Sequence, residues 1–264
     1  MAGLQSDIRG LAQTAVSGVI QAVASQKELA SGMRVTFCSA CFRCGWQLRK
    51  ALLPNILFLL PWRACARICL VVFESEETDA DIQWLWRYAR PALECGLLIV
   101  AVTDLPGGWH ACLAKNTSHK LAIQQHRRPL DLDGGATWLS LMLFNLDCDN
   151  ILGPSFMDSL QTLLPVVPAH GCIHAVGRDP GTTGRVGLFA TTFLRVGGYD
   201  ESAMPMGYQD VDLLRRCQWL STTKPCHMQP ADVGLSVPNH LTDKKAARGI
   251  EKVRHVSSAL AGMT

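Results

Sequence analysis

The stretch Leu141-Met142-Leu143-Phe144-Asn145-Leu146-Asp147-Cys148-Asp149-Asn150 carries the clearest chemistry in the chain. An apolar run ends in two carboxylates two positions apart, followed by an amide. Residues two apart share a face of a strand, so the spacing predicts that Asp147 and Asp149 point together beyond the strand end. Paired carboxylates are hard oxygen ligands for Mg²⁺ or Mn²⁺, ions that also take phosphate oxygens. The competing reading is a solvated strand-to-turn junction, since Asp and Asn are common turn residues. A second acidic pair, Asp210 and Asp212, opens a segment that reads as a helix. The positive end of a helix favours carboxylates, and capping alone would also account for them. A third set is Cys38, Cys41 and Cys44, spaced by three. It suggests an iron–sulfur or zinc site, with Cys65 and Cys69 further along but no evident fourth ligand nearby. Three residues is close to one helical turn, so a shared packed face is the plainer expectation.

Alternating elements must position these groups. Residues 35–39 read as a strand, 44–59 as a helix ending near Pro61, and 68–73 as a continuous apolar strand of the kind buried on both faces. Helix 79–92, strand 96–102, helix 111–125 and strand 138–146 follow. This order predicts an α/β fold with a mostly parallel central sheet flanked by helices and right-handed crossovers. Ligands of such sheets lie beyond the carboxyl ends of the strands, which is where Asp147 falls. After residue 150 the chain is punctuated by Pro165, Pro168, Gly171, Gly177, Pro180, Gly181, Gly184 and Gly187. That part reads as the second half of the same domain. Residues 4–29 read as an extra N-terminal amphipathic helix, with Leu4, Ile8, Leu11, Val16, Val19, Ile20 and Val23 near helical spacing.

The 264 residues suit one α/β domain. A formal net charge of +3 argues against a dedicated nucleic-acid binder, which carries a basic patch or stripe. The densest basic stretch is Lys244, Lys245, Arg248, Lys252 and Arg254. Eleven cysteines, an odd number spread over the whole length, predict reduced and mostly buried thiols in a reducing compartment such as the cytoplasm. Asp7, Arg9 and Lys27 interrupt the first thirty residues, so no secretory signal is expected. The longest apolar run, 51–62, is broken by Pro54, Asn55 and Pro61 and falls short of the ~20 residues that span a bilayer. A soluble chain without a transmembrane segment is expected.

Taken in order, the Asp147-Cys148-Asp149-Asn150 strand end, then Gly197-Gly198-Tyr199-Asp200-Glu201, then Asp210-Val211-Asp212 before Leu213-Leu214-Arg215-Arg216, resemble the GT-A superfamily of glycosyltransferases. The pattern is family 2-like with a galactosyltransferase-type C-terminal segment and covers residues 33–255. The resemblance implies a GT-A (nucleotide-diphospho-sugar transferase) fold. Residues 1–32 would be a helical extension, 33–150 the nucleotide-sugar-binding half and 151–264 the acceptor-side half. It implies Mn²⁺ or Mg²⁺ on Asp147 and Asp149, with Asp149 as the direct ligand, bridging the diphosphate of a UDP-sugar. Val237-Pro238-Asn239-His240, before Asp243-Lys244-Lys245, resembles the segment in which a histidine, here His240, completes the metal site. Ser39, Glu74, Lys115, Asn116 and Asp147 would meet the donor.

The same resemblance makes Asp210 the catalytic base and places Tyr208, Gln209 and Asp212 at the acceptor. Where the family has Trp-Gly-Gly-Glu-Asp, this chain reads Met206-Gly207-Tyr208-Gln209-Asp210. The implied reaction is single-displacement transfer of a sugar to a hydroxyl of a glycan, protein or small molecule, with inversion. The alternative, favoured by Gln209 and the missing Trp, is a non-catalytic relative that binds a nucleotide sugar or glycan.

Overall fold

The computed structural model describes residues 26–29, 32–104, 108–126, 140–178, 182, 184–203 and 207–237. Apolar, β-branched segments form β1 (Arg34–Cys41), β2 (Ala66–Phe73), β3 (Leu98–Thr103) and β4 (Leu141–Asn145). These four are parallel, with Val35 opposite Ala66, Ile68 opposite Leu98, and Arg34 opposite Leu141. Parallel neighbours need long crossovers. They are supplied by α1 (Gly45–Leu59) after β1, α2 (Thr78–Tyr88) and α3 (Arg90–Glu94) after β2, and α4 (Ala111–His126) after β3.

The remaining elements are β5 (Asn150–Leu152), α5 (Phe156–Leu163), β6 (Cys172–His174), β7 (Val186–Phe189), α6 (Ala190–Arg195), α7 (Gln209–Ser221), β8 (Cys226–His227), α8 (Pro230–Val233) and β9 (Gly234–Ser236). The main sheet runs β3-β2-β1-β4-β7-β6-β8, and β5 pairs with β9 separately. β7 runs antiparallel to both β4 and β6, so the mostly parallel sheet is mixed in its second half. From β1 the chain adds β2 and β3 on one side and later β4 on the other. The switch in strand order therefore lies between β1 and β4, the position where open α/β sheets bind their ligands.

Alternation along β1 and β4 feeds two cores. Phe37 and Phe144 pack with Leu48, Ile56 and Phe156 on one face, while Cys38 and Leu143 join Cys69, Phe193 and Leu213 on the other. The rings of Phe144 and Phe156 meet edge to face at 5.1 Å. Burying each large side chain contributes roughly 1.5–3 kcal/mol. Gly187 is required on β7 because a side chain there would collide with the Phe144 ring.

Several expectations change. The helix expected over 79–92 is two helices, because Pro91 starts a new one after Ala89 leaves helical geometry at φ −108°. Of the helix expected over 4–29, only 26–29 are described. They carry no regular structure, and the Lys27 amide donates to the Pro61 carbonyl. The strand expected over 138–146 is described only from 140, and pairing stops at Asn145. Residues 147–150 form a turn closed by the Asn150 amide on the Asp147 carbonyl at 2.8 Å. Asp147 and Asp149 are therefore turn residues, and strand alternation does not set their directions. None of the eleven cysteines is in a disulfide, and nine are buried. Among the described residues, no helix is long and apolar enough to cross a membrane.

Candidate functional site

The turn that ends β4 is held from both sides. Before it, Asn145 donates to the Gly184 carbonyl at 2.9 Å and to Asp147 Oδ1 at 3.2 Å. After it, the Asn150 side chain donates to Asp149 Oδ1 at 2.8 Å and accepts from Arg185 Nε at 2.7 Å. Arg185 is fully buried. It also donates to the carbonyls of Val233, Ile151 and Leu235, so one guanidinium ties β5 and β9 to the turn. Asn55 of α1 completes the brace by donating to the Asn150 carbonyl and accepting from the Leu152 amide. Buried polar groups need such partners, and a set of satisfied ones makes a turn rigid.

Beside the turn, α4 and α7 bring an ammonium and a carboxylate together. Lys115 Nζ donates to Asp210 Oδ1 at 2.7 Å and to Oδ2 at 2.9 Å, and lies 3.8 Å from Asp147 Oδ1. Side-chain exposure rises from 8% at Lys115 through 17% at Asp210 to 40% at Asp147, so the group opens to solvent on the Asp147 side. Gly184 faces all three. A Cβ there would sit 3.0 Å from Asp210 Oδ2, 3.2 Å from Asp147 Oδ2 and 3.4 Å from Lys115 Nζ. The absence of a side chain at Gly184 lets its backbone lie close against all three groups.

Burial pushes the Asp210 carboxyl above its usual value, with Lys115 pulling the other way and Asp147 adding to the rise. Burial also works against the Lys115 ammonium, but Asp147 and Asp210 outweigh it and hold the group protonated. The phenol of Tyr199 is buried near Asp210 and raised by that burial, without a hydrogen bond of ordinary geometry. Its ring receives Lys115 Nζ at 5.4 Å, a cation–π contact. His119, one turn beyond Lys115, is fully buried, stacks on Phe193 at 4.9 Å and shares a 2.7 Å bond with the Lys115 carbonyl. Burial lowers its pKa to about 4.

The other residues singled out in the sequence are scattered around this centre. Asp149 accepts from the Asn150 side chain and from Gln47 Nε2 at 3.4 Å. Asn116 is buried, and its amide accepts from the Tyr199 amide, donates to the Tyr199 carbonyl and donates to Glu201. It pins the Gly197-Gly198 turn, where both glycines have positive φ. Asp212 accepts from Arg216, which donates to the Val196 and Gly198 carbonyls and clamps the same turn. Tyr208 is 79% exposed and caps α7 in the left-handed region at φ 62°, an uncommon conformation for a tyrosine. Gln209 keeps a buried side-chain oxygen without a hydrogen bond.

Ser39 is buried near the end of β1. Glu74 is exposed just past β2, its pKa raised by the neighbouring Asp104 carboxylate. His240 lies outside the described residues. The structure thus joins Asp147, Lys115 and Asp210 and sends Asp149 to a different set of partners. Sequence reasoning missed Asn145, Gly184, Arg185 and the Lys115–Asp210 pair. A Gly-Arg dipeptide just before an apolar strand was the available signal for two of them.

The donor set can be tested against Mn²⁺ or Mg²⁺. Such ions take one or two carboxylates and fill the remaining positions with substrate phosphates and water. Asp147 is exposed and oxygen-bearing, and Asp149 is partly exposed on the same turn. The chemistry fits an ion held largely by its substrate.

No protein-family model matches this sequence, and no curated protein matches it. Solved structures do resemble it in shape. A mannosyltransferase from Pyrobaculum calidifontis, in complex with GDP-Man and Mn²⁺, aligns with a TM-score of 0.57 at 13% identity, over 89% of this chain and 68% of that one. TarS from S. aureus, residues 1–349, aligns with a TM-score of 0.52 at 9% identity, over 78% of this chain and 60% of that one. The seven-stranded, mostly parallel sheet and its flanking helices match these structures in fold, the GT-A fold.

Proposed function

We propose that this protein is a glycosyltransferase that moves a hexose from a nucleotide-diphosphate donor, UDP-linked, to an acceptor hydroxyl with inversion. The observation that supports it most is the meeting of Asp210, Lys115 and Asp147 at the β1/β4 switch point, close against Gly184. One neighbour in shape is a mannosyltransferase solved with GDP-Man and Mn²⁺.

Asp147 and Asp149 would hold Mn²⁺ or Mg²⁺, with His240 as the further ligand expected from the sequence; such an ion neutralises charge on a departing diphosphate. Lys115 places a fixed positive charge beside the same region in a poorly solvated setting, where charge stabilisation is strong. Asp210 accepts the proton of the attacking hydroxyl as the new C–O bond forms at the anomeric carbon. Its raised pKa suits a general base, which works best when its pKa is near the operating pH. Attack opposite the leaving group inverts the anomeric centre. Ser39 and Glu74 lie at the strand ends where the nucleoside would rest, and the exposed Tyr208 and neighbouring Gln209 would meet the acceptor.

A second reading has its own support. Both Asp210 oxygens are taken by Lys115, and Gln209 brings no charge. A protein that binds the nucleotide sugar without transferring it would tolerate this arrangement. A thermal-shift screen of UDP- and GDP-sugars with and without Mn²⁺, followed by assay of donor hydrolysis and transfer, separates the readings. A ligand that binds the native state raises its melting temperature. Stabilisation with turnover supports transfer, stabilisation without turnover supports the binding protein, and no stabilisation by any nucleotide sugar overturns both.

A further inference from the structure

Three sulfurs meet beneath the Asp147–Asn150 turn. Cys41 Sγ lies 3.4 Å from Cys44 Sγ, and Cys44 Sγ lies 3.0 Å from Cys148 Sγ. All three lie within 4.8 Å of one another, and all three residues are buried. Cys41 ends β1, Cys44 immediately precedes α1, and Cys148 sits between Asp147 and Asp149. The set differs from the Cys38, Cys41 and Cys44 series visible in the sequence. Cys38 and Cys41 are three apart on a strand and so face opposite sides of the sheet. Cys38 packs with Cys69, and Cys148 takes the third place from a hundred residues away.

The backbone between the first two sulfurs is unusual. Arg43 adopts φ 50°, the left-handed region that a residue with a side chain enters at a cost. That bend carries the chain from the end of β1 into α1 and sets Cys44 back against Cys41. Cys44 also stands at the N-terminus of a 15-residue helix, whose free amides and dipole favour a thiolate over a thiol. Two independent features, the sulfur cluster and the strained bend, therefore converge on one point.

We infer that Cys41, Cys44 and Cys148 form a binding site for a single thiophilic metal ion, of the Zn²⁺ or Cu⁺ class, distinct from the carboxylate site on the turn above. Tetrahedral zinc with bonds of ~2.3 Å spaces its sulfurs by ~3.8 Å, so the Cys41–Cys44 and Cys44–Cys148 pairs need open by less than ~1 Å to surround one ion. Soft thiolates select such ions over Mg²⁺ and Mn²⁺, which the hard oxygens of Asp147 and Asp149 prefer. A multi-iron cluster would hold its cysteines farther apart, because several irons and sulfides lie between them. The nearby Asp81 carboxylate is committed to Arg49 at 2.8 Å and is not counted as a ligand. Binding releases the thiol protons to solvent and leaves the metal's oxidation state unchanged. The ion would tie β1, α1 and the Asp147–Asn150 turn together, so it would shape the place where the carboxylates stand.

The test is elemental analysis of the full chain purified without chelator. About one zinc or copper per chain is expected. Cys148→Ser should lose most of that metal, while Cys38→Ala and Cys95→Ser should retain it. Reconstitution of the wild-type chain with Co²⁺ should produce thiolate-to-cobalt charge-transfer absorbance, a readout that does not depend on activity or on any variant folding. Metal-free protein that gives no cobalt signal overturns the proposal. So does iron in place of zinc or copper, equal loss in Cys38→Ala and Cys148→Ser, or a Cys44–Cys148 disulfide found by mass spectrometry in protein prepared under reducing conditions.

Discussion

Lys115 Nζ contacts both oxygens of Asp210 while standing 3.8 Å from Asp147, so one buried ammonium serves two carboxylates drawn from different parts of the chain. Removing one partner of a buried pair strands the other charge at a cost of about 3–5 kcal/mol. Lys115→Met should therefore lower unfolding free energy by about 3 kcal/mol in urea titrations. Adding Asp210→Leu should recover part of that loss, because no charge is then left buried without its partner. A double variant as unstable as the sum of the two single variants would count against the coupling.

Asp210→Asn keeps size and burial but cannot take a proton. Transfer should fall by ~10²–10⁴-fold while the nucleotide sugar still raises the melting temperature. In the wild-type chain the base must be ionised, so the rate should climb with pH along an acid limb above 3.8, the ordinary aspartate value. Lys115 is the group that pulls this pKa down, so Lys115→Met should move the limb upward. A limb at or below 3.8, or full turnover in Asp210→Asn, would remove Asp210 from the role.

Gly184→Ala would place a methyl 3.0 Å from Asp210 Oδ2, 3.2 Å from Asp147 Oδ2 and 3.4 Å from Lys115 Nζ, pressing on all three groups. The fold should survive with a small change in melting temperature, since Gly184 is not in the left-handed region. Affinity for the donor should drop at least tenfold, read by titration calorimetry. Unchanged affinity would mean that the ligand does not bind against these three groups.

The two aspartates of the turn should separate. Asp147→Asn touches the Lys115 group and should weaken donor binding with and without Mn²⁺. Asp149→Asn leaves that group intact and should abolish only the gain in melting temperature that Mn²⁺ adds. Identical responses from the two variants would contradict the different partners they have in the structure.

His119 offers a test of stability against pH. Its pKa falls from 6.5 to about 4 on folding, so the unfolded chain binds the extra proton between those values. The stability it contributes is complete above pH 6.5 and is lost as pH falls toward 4, up to about 3 kcal/mol in all. His119→Phe keeps a ring against Phe193 and has no proton to bind. Its stability should vary less across that window than the wild type's.

The pattern of strands and crossovers was legible because burial on both faces writes continuous apolar runs such as 68–73 into the sequence. Asp147 at the end of β4 followed from the same pattern. The helix over 79–92 misled because periodicity continues across Pro91, while the missing amide hydrogen stops the hydrogen bonding. Strand alternation does not decide the directions of Asp147 and Asp149, for a related reason. Alternation holds only while a strand is paired, and pairing ends at Asn145.

Residue types and local spacing thus determined the α/β class, the acidic strand end and the acidic helix start, because helix and strand periodicities are local properties. Tertiary structure alone decided that Lys115 faces Asp210, that Asn116 supports the Tyr199 turn, and that Cys148 rather than Cys38 completes the sulfur group. Each of these contacts joins positions some eighty or more apart in the chain. Their proximity depends on how the sheet orders its strands and turns its helices, which no short window of sequence encodes.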